Sequence, residues 1–136
     1  MSAESIFTKI INGQIPCHRV FENEHVIAFL DINPLADGHT LVIPKRQVER
    51  LEQLPADEAA ELGRVLGEIA ARVLKAVGAT DYNVLQNNGR AAGQEVPHVH
   101  FHIIPRRAGD GLGYRWNAQP GDHGQLAALS AKVSSE

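Results

Sequence analysis

The sequence predicts an α+β domain with a largely antiparallel sheet of five strands. Five short segments rich in β-branched and aromatic residues lie between turn residues, at positions 19–21, 26–30, 39–44, 81–86 and 95–105. One long segment, residues 55–78, carries apolar side chains at helical spacing. Five strands with one main helix indicate this fold class, and the length of 136 residues indicates a single domain over residues 1–136.

The chain begins with a short helix at residues 5–11, followed by a hairpin. Phe7 and Ile10 lie at helical spacing in this helix, and an Asn-Gly pair follows it as a stop signal. The first two strands are separated by turn-like residues, which predicts that they pair as a hairpin. Asp31 closes the second strand, and an Asp-Gly pair leads into the third.

The long helix has ordinary start and stop signals and one unusual line of residues. Pro55 and two acidic residues suit its first turn, and Gly78 suits its end. Small residues recur at every fourth position, namely Ala59, Gly63, Gly67 and Ala71. Packing of this line against the sheet is the ordinary explanation, and contact with a second copy of the chain is the alternative.

The remaining segments are shorter. Residues 45–54 have a mixed pattern that allows a helical turn, and residues 87–94 form a loop rich in turn residues. A short final helix is predicted at 127–133. Trp116 is a candidate for packing on a partner subunit.

Composition excludes several classes of protein. The net charge is −3 and the basic residues are scattered, which argues against binding of polymeric nucleic acid. No apolar run approaches the roughly 18 residues of a membrane span. Cys17 is the only cysteine, so no disulfide within the chain is possible. A cytoplasmic protein is the simplest interpretation.

Three histidines in the last predicted strand ask for a chemical explanation. His98, His100 and His102 alternate with apolar residues. Because strand side chains alternate between two faces, the three imidazoles are expected on one face of a regular strand. Val or Thr would have a better strand propensity at each position, so folding alone does not require histidine there.

Metal binding is one candidate chemistry, because neutral imidazole is a common ligand of transition metals. On a regular strand His98 and His102 would stand roughly 13 Å apart, whereas metal–nitrogen bonds are about 2 Å long. One ion held by all three rings is therefore disfavoured. A site of two histidines with Glu95 or Asp31 stays open.

Nucleophilic catalysis is the second candidate. His100, in the middle, would attack a phosphate, and the loop at 87–94 would supply N–H donors to its oxygens. A neutral attacking ring predicts that the rate falls as the pH drops through about 6.5. In the third interpretation the three histidines are only hydrogen-bonded in a core, where each buried ring would need its own partners.

The stretch at 98–104 matches the pattern His-φ-His-φ-His-φ-φ, where φ is apolar, and the chain resembles the histidine triad (HIT) superfamily. Residues 5–16, 28–34, 38–45 and 87–94 are similar to four other blocks of that family, in the same order. The resemblance implies a homodimer of α+β subunits that binds a small purine nucleotide. It also implies cleavage at the α-phosphate through a nucleotidyl-histidine intermediate, with no cofactor.

Matching by position, the resemblance implies roles for individual residues. His100 is similar to the residue that becomes covalently modified, His102 to the one beside the phosphate and leaving group, and His98 and His39 to the supporting histidines. The other matched positions are the purine contacts Phe7 and Ile10, the ribose contacts Asp31 and Ile32, the phosphate-loop residues Asn87, Gly93 and Gln94, and Glu95 near the leaving group.

Two departures from the family pattern matter. Some bacterial relatives hold zinc with side chains at the positions that Ser5, Thr8 and Gln47 occupy here. Those zinc ligands are missing from this chain, so no metal is expected. In the phosphoramidase branch a serine is common in the place of Glu95. The Gly93-Gln94 pair and residues 104–106 are similar to motifs that are also seen in dinucleoside-polyphosphate hydrolases, so that activity is an alternative. A nucleotide-binding adaptor with little catalysis is a further alternative.

Overall fold

The computed structural model describes residues 3–113 and 117–135, so Trp116 lies outside the described residues. Within these ranges the chain forms one sheet and three α-helices, as bounded here: α1 (Ile6–Ile11), β1 (Arg19–Glu22), β2 (Val26–Leu30), β3 (Thr40–Pro44), α2 (Ala56–Val77), β4 (Asp81–Gln86), β5 (Phe101–Arg106) and α3 (His123–Ser134). Single 3-10 turns lie at Leu51–Gln53 and Arg90–Ala92. The predicted α+β class, the five strands, the short first helix and the long helix are confirmed.

The strands form one antiparallel sheet in the order β1-β2-β3-β5-β4. β1 and β2 pair as the predicted hairpin, whereas β5 lies between β3 and β4. β1 and β4 are the two edges of the sheet. The strand that carries His102 is therefore an inner strand with a hydrogen-bonded neighbour on each side.

Different helices cover the two faces of the sheet. The core on the α2 side is formed by Val26, Ala28, Val42 and Ile103 together with Leu62, Val65, Ile69, Ala70 and Val73 of α2. The core on the α1 side is formed by Phe7, Ile27, Phe29, Leu41 and Ile43. Because side chains alternate along β5, Ile103 faces α2 while its neighbour His102 faces the α1 side.

The line of small residues on α2 does not pack against the sheet. A Cβ atom added at Gly63 or Gly67 would meet no described atom within 4 Å, apart from the helix's own backbone. Both glycines are exposed, and the buried residues of α2 lie on another face of the helix. The prediction of sheet packing is therefore wrong, and contact with a second copy stays a prediction.

The strand with the histidines begins later than predicted. β5 starts at Phe101, so His102 lies within it, whereas His98 and His100 precede it. The amide of His98 donates two residues back at 2.8 Å, and the amide of Val99 donates to the Val48 carbonyl at 2.8 Å. The prediction of one regular strand through all three histidines is wrong, because these bonds hold the segment before Phe101 outside the strand ladder.

The final helix is longer than predicted. It begins at His123 because Asp122 caps it and accepts a hydrogen bond from the Gln125 amide at 3.0 Å. Its described side chains are exposed. In the part of the chain that the structure describes, no helix is long and apolar enough to cross a bilayer.

Candidate functional site

A cleft of about 490 Å³ opens on the α1 side of the sheet. Nine of the twelve candidate residues line it: Phe7, Ile10, Asp31, Ile32, Asn87, Gly93, Glu95, His100 and His102. The other three, His39, Gln94 and His98, are buried and do not line it. The structure thus brings together residues from α1, the end of β2, the loop after β4, and β5.

One part of the cleft wall is apolar and is formed by α1. The ring of Phe7 is buried and meets Phe29 and His100 edge-on, with ring centroids 5.9 and 4.9 Å apart. Ile10 lines the cleft on the same helix, whereas Ile32 is 78% exposed. Phe7 is therefore both a core residue and part of the wall nearest to the His100 ring.

His100 presents an unprotonated nitrogen. Its Nδ1 lies 2.7 Å from the carbonyl oxygen of His98, which accepts hydrogen bonds only, so Nδ1 carries the hydrogen and donates. In a neutral imidazole the lone pair is then on Nε2. No described residue hydrogen-bonds to this Nε2 atom. The geometry gives His100 the tautomer that a nucleophile requires.

A chain of hydrogen bonds determines the tautomer of His102. The Leu35 amide donates to His39 Nδ1 at 3.0 Å, so the hydrogen of His39 is on Nε2. His39 Nε2 then donates to His102 Nδ1 at 2.9 Å. The hydrogen of His102 is left on Nε2, and its ring centroid is 5.0 Å from that of His100.

Burial lowers the pKa of all four site histidines, which are His39, His98, His100 and His102. For His102 the pKa falls to about 4, because the neighbouring rings of His100 and His39 add to the effect of burial. Each ring is therefore neutral at pH 7. The hydrogen-bond pattern described above requires this neutral state.

The distances among Asp31, His39 and His102 would allow a metal ion, since one ligand atom of each lies within 4.8 Å of the others. Asp31 Oδ2 is 3.6 Å from His39 Nε2. A metal on His39 Nε2 would move the hydrogen of the ring to Nδ1, where it would oppose the Leu35 amide. The donor set therefore does not fit a resident metal.

Ser5, Thr8 and Gln47, at the positions where some relatives hold zinc, gather around His98. Ser5 Oγ is 2.7 Å from His98 Nδ1, and Thr8 Oγ1 is 2.6 Å from Gln47 Oε1. Structural zinc is held by thiolate, imidazole and carboxylate ligands, whereas these three side chains are neutral hydroxyl and amide groups. They form a partly buried hydrogen-bonded cluster that does not suit zinc.

The loop before the histidines places Asn87 and Gly93 in the wall of the cleft. A Cβ on Gly93 would lie 3.6 Å from Asn87 Nδ2, so the backbone of the loop passes close to that amide. The side chain of Gln94, matched to the phosphate loop, instead makes three hydrogen bonds to backbone groups and braces the loop. Glu95 is exposed and lines the cleft.

Sequence reasoning named Ser5 only at a position where some relatives hold zinc, and it did not name the amide of Leu35. The first has a recognisable signal, since Ser directly before an apolar helical run is a helix N-cap. The second has none, because a backbone amide acts at His39 only through the path of the loop. The apolar residues Leu41, Leu85 and Ile104 also line the cleft.

Comparison with known proteins places this geometry in context. A family model described as the HIT domain matches residues 12–109. An adenosine 5'-monophosphoramidase of Schizosaccharomyces pombe is 43% identical over 132 residues, which is 96% of each chain. An adenylylsulfatase of Arabidopsis thaliana is 41% identical over 109 residues, covering 80% of this chain and 55% of that protein.

Solved structures show the same fold. The crystal structure of a HIT family protein from Bacillus anthracis superposes with a TM-score of 0.93 at 37% identity. The match covers 99% of this chain and 98% of that chain. The arrangement of one sheet between α1 and α2 is therefore shared over almost the whole length of both proteins.

Proposed function

Because this chain belongs to the HIT domain family, we propose that it is a purine nucleotide hydrolase that cleaves at the α-phosphate. The model substrate is a nucleoside phosphoramidate such as adenosine 5'-phosphoramidate. The observation that carries the proposal is His100 Nε2, an unprotonated nitrogen on a ring that lines a cleft of about 490 Å³. The name of the S. pombe relative supports cleavage of a phosphorus–nitrogen bond.

The cleft offers a separate surface to each part of a nucleotide. The purine packs against Phe7 and Ile10, whose apolar side chains line the cleft. Asp31 accepts hydrogen bonds from the ribose, since one of its oxygens accepts from the Asn33 amide and its carboxylate lines the cleft. The phosphate then lies toward His100 and the loop that carries Gly93.

The reaction proceeds in two displacements. His100 Nε2 attacks the α-phosphorus, a nitrogen–phosphorus bond forms, and the bond to the leaving amine breaks. The amine departs as ammonia after taking one proton from a water, which leaves hydroxide. A second water then attacks phosphorus, the bond to Nε2 breaks, nucleoside monophosphate is released, and the proton set free neutralises the hydroxide.

His102 acts in this scheme as a neutral hydrogen-bond donor. Its Nδ1 already accepts the hydrogen from His39 Nε2, so a second proton on His102 would place two hydrogens between the rings. The lowered pKa of His102, about 4, agrees with this. Its Nε2–H therefore stabilises charge on the phosphate or the leaving group without ionising.

The proposal is tested by turnover of adenosine 5'-phosphoramidate beside a dinucleoside polyphosphate. We expect faster turnover of the phosphoramidate and a nucleotidyl adduct on His100 in mass spectra of rapidly quenched samples. His100→Ala is expected to lose turnover and to keep measurable binding of nucleoside monophosphate. Turnover in that variant at the rate of the wild type would refute the role of His100.

The other outcomes identify the alternatives. Faster hydrolysis of the dinucleoside polyphosphate would place the enzyme in that branch of the family. Tight nucleotide binding without turnover would indicate an adaptor module. Because Glu95 lines the cleft where a serine is common, Glu95→Ser tests the leaving group, and a faster rate on the phosphoramidate would support P–N cleavage.

A further inference from the structure

The hydroxyl of Ser5 is buried between α1 and His98 and has three hydrogen-bond partners, of which Thr8 Oγ1, at 3.3 Å, is the most distant. It accepts from the Thr8 amide at 3.0 Å, which caps the first turn of α1. It also lies 2.7 Å from His98 Nδ1. The other ring nitrogen of His98 is 2.8 Å from the Pro44 carbonyl, which accepts only, so the hydrogen of the ring is on Nε2. Nδ1 is therefore an acceptor and the Ser5 hydroxyl is its donor.

Thr8 does not compete for this role. Its Oγ1 is 3.5 Å from His98 Nδ1 but only 2.6 Å from Gln47 Oε1. Gln47 uses its amide nitrogen to donate to the Ala3 carbonyl at 2.8 Å, so its Oε1 is the acceptor for both the Ser5 amide and the Thr8 hydroxyl. The Thr8 hydroxyl donates its single hydrogen to Gln47, so Ser5 is the donor to His98.

The His98 backbone leads directly to the attacking ring. Its carbonyl oxygen accepts from His100 Nδ1 at 2.7 Å, and this bond keeps the lone pair of His100 on Nε2. The same helix that Ser5 caps carries Phe7, whose ring centroid is 5.8 Å from that of His98 and 4.9 Å from that of His100. Ser5 thus bonds to His98 and caps the helix that carries Phe7, and it does not line the cleft.

We propose that Ser5 is a positioning residue for His100, which it orients by donating to His98 Nδ1 and so holding His98 in one tautomer and one ring orientation. This inference rests on the proposed function for its kinetic consequence. Without the Ser5 hydrogen, Nδ1 of His98 is a buried acceptor with no donor at good distance, and rotated or re-protonated forms of the ring compete with the native one. The His98 carbonyl then no longer holds one position.

Ser5→Gly is the informative variant. Glycine is itself tolerated at a helix N-cap, so α1 keeps its start while the hydroxyl donor is lost. We expect kcat on adenosine 5'-phosphoramidate to fall about tenfold, the scale of one lost hydrogen bond to a buried group, with KM within about twofold. Ser5→Thr, which keeps a hydroxyl, is expected to restore most of kcat, and Thr8→Val is the matched control near the wild-type rate.

A spectroscopic readout separates positioning from simple loss of stability. Long-range proton–nitrogen NMR spectra of the imidazoles report which nitrogen of His98 is protonated. We expect a single Nε2–H form in the wild type and in Ser5→Thr, and a mixture in Ser5→Gly. An unchanged kcat in Ser5→Gly, an equal loss in Ser5→Thr, or an unchanged His98 spectrum in Ser5→Gly would overturn the proposal.

The two proposals fail in different ways. A wild-type protein without turnover on any nucleotide would refute the proposed function. The His98 spectra of the wild type and of Ser5→Gly would still decide whether Ser5 sets the tautomer of that ring.

Discussion

His39 Nε2 lies 2.9 Å from His102 Nδ1, and the hydrogen between them belongs to His39. The assignment follows from the Leu35 amide, which donates to the opposite nitrogen of His39. The same bond leaves His102 without room for a second proton on Nδ1. A loop amide at Leu35 thus determines which nitrogen of His102 carries the hydrogen, through one intervening histidine.

The first prediction concerns His39. His39→Leu removes the donor to His102 Nδ1, and we expect kcat to fall by about tenfold or more because the tautomer of His102 is no longer fixed. His39→Gln, which retains an N–H donor, should lose less. His25→Ala is the matched control, since that histidine is exposed on the surface. Equal rates in His39→Leu and the control would contradict a role for the hydrogen bond from His39 to His102.

The second prediction is the acid limb of the rate profile. Burial lowers the pKa of His100 from the ordinary value of 6.5, so the neutral attacking form persists at lower pH. We therefore expect kcat/KM to decline only below pH 6.5, rather than at the value expected for a free histidine. Steady-state rates between pH 4.5 and pH 8, about the range of the histidine titration, give the test. A midpoint above 6.5 would speak against a buried neutral nucleophile.

The third prediction is the dependence of stability on pH. His102 has a pKa of about 4 when folded and 6.5 when unfolded, so the unfolded state binds more protons between these values. Stability is therefore complete above about pH 6.5 and is lost toward pH 4, by on the order of 1 kcal/mol per pH unit from this residue alone. Urea unfolding at a series of pH values measures the slope.

Titration of surface carboxylates does not cause this loss of stability in the upper part of the pH range between about 4 and 6.5. Ion pairs with arginine or lysine lower the pKa values of Glu22, Glu58 and Glu61, which move their titration further toward acid. A free energy of unfolding that is the same at pH 6.5 and pH 5.0 would contradict the assignment of buried neutral histidines.

The fourth prediction uses the cluster around His98. Ser5 Oγ, Thr8 Oγ1 and His98 Nδ1 lie between 2.7 and 3.5 Å of one another, and Gln47 Oε1 adjoins Thr8. The combined substitutions Ser5→Cys, Thr8→Cys and Gln47→His would supply two thiolates and a second imidazole, a set that zinc prefers. Elemental analysis should find about one zinc per chain in this variant and none above background in Gln47→His alone.

The fifth prediction concerns a second subunit. β4 is an edge strand with exposed Tyr82, Val84 and Leu85, and on helix α2 the exposed Gly63 and Gly67 leave the backbone open to close approach. We expect a homodimer that covers these apolar side chains. Light scattering after gel filtration should give twice the mass of one chain for the wild type and a monomer for Val84→Lys. Leu126→Lys on α3 is the control, and a wild-type monomer would rule the dimer out.

The order and type of the elements were accessible from the sequence because they depend on local patterns. The helical spacing of α2 and the turn residues between strands act within a few positions of one another, and each predicted strand is present. The alternation of the triad also predicted His100 and His102 on one face, and the structure has the two rings side by side at the cleft.

Local patterns failed where distant segments compete for the same backbone groups. β5 starts at Phe101 because the Val99 amide bonds to the Val48 carbonyl, a contact between segments far apart in the sequence. Gln94 turned away from the cleft because its side chain satisfies backbone groups of its own loop and of residue 49. The open face of α2 at Gly63 depends on how the helix rests on the sheet.

By itself, the sequence determined the fold class and the set of chemical groups, since periodicity and the three alternating histidines are written in neighbouring positions. Only the tertiary structure decided which nitrogen of each ring carries a hydrogen. That depends on the Leu35 amide, the Pro44 and His98 carbonyls and the Ser5 hydroxyl meeting the rings at hydrogen-bond distance. A tautomer is a property of the partners of a ring, and folding brings those partners together.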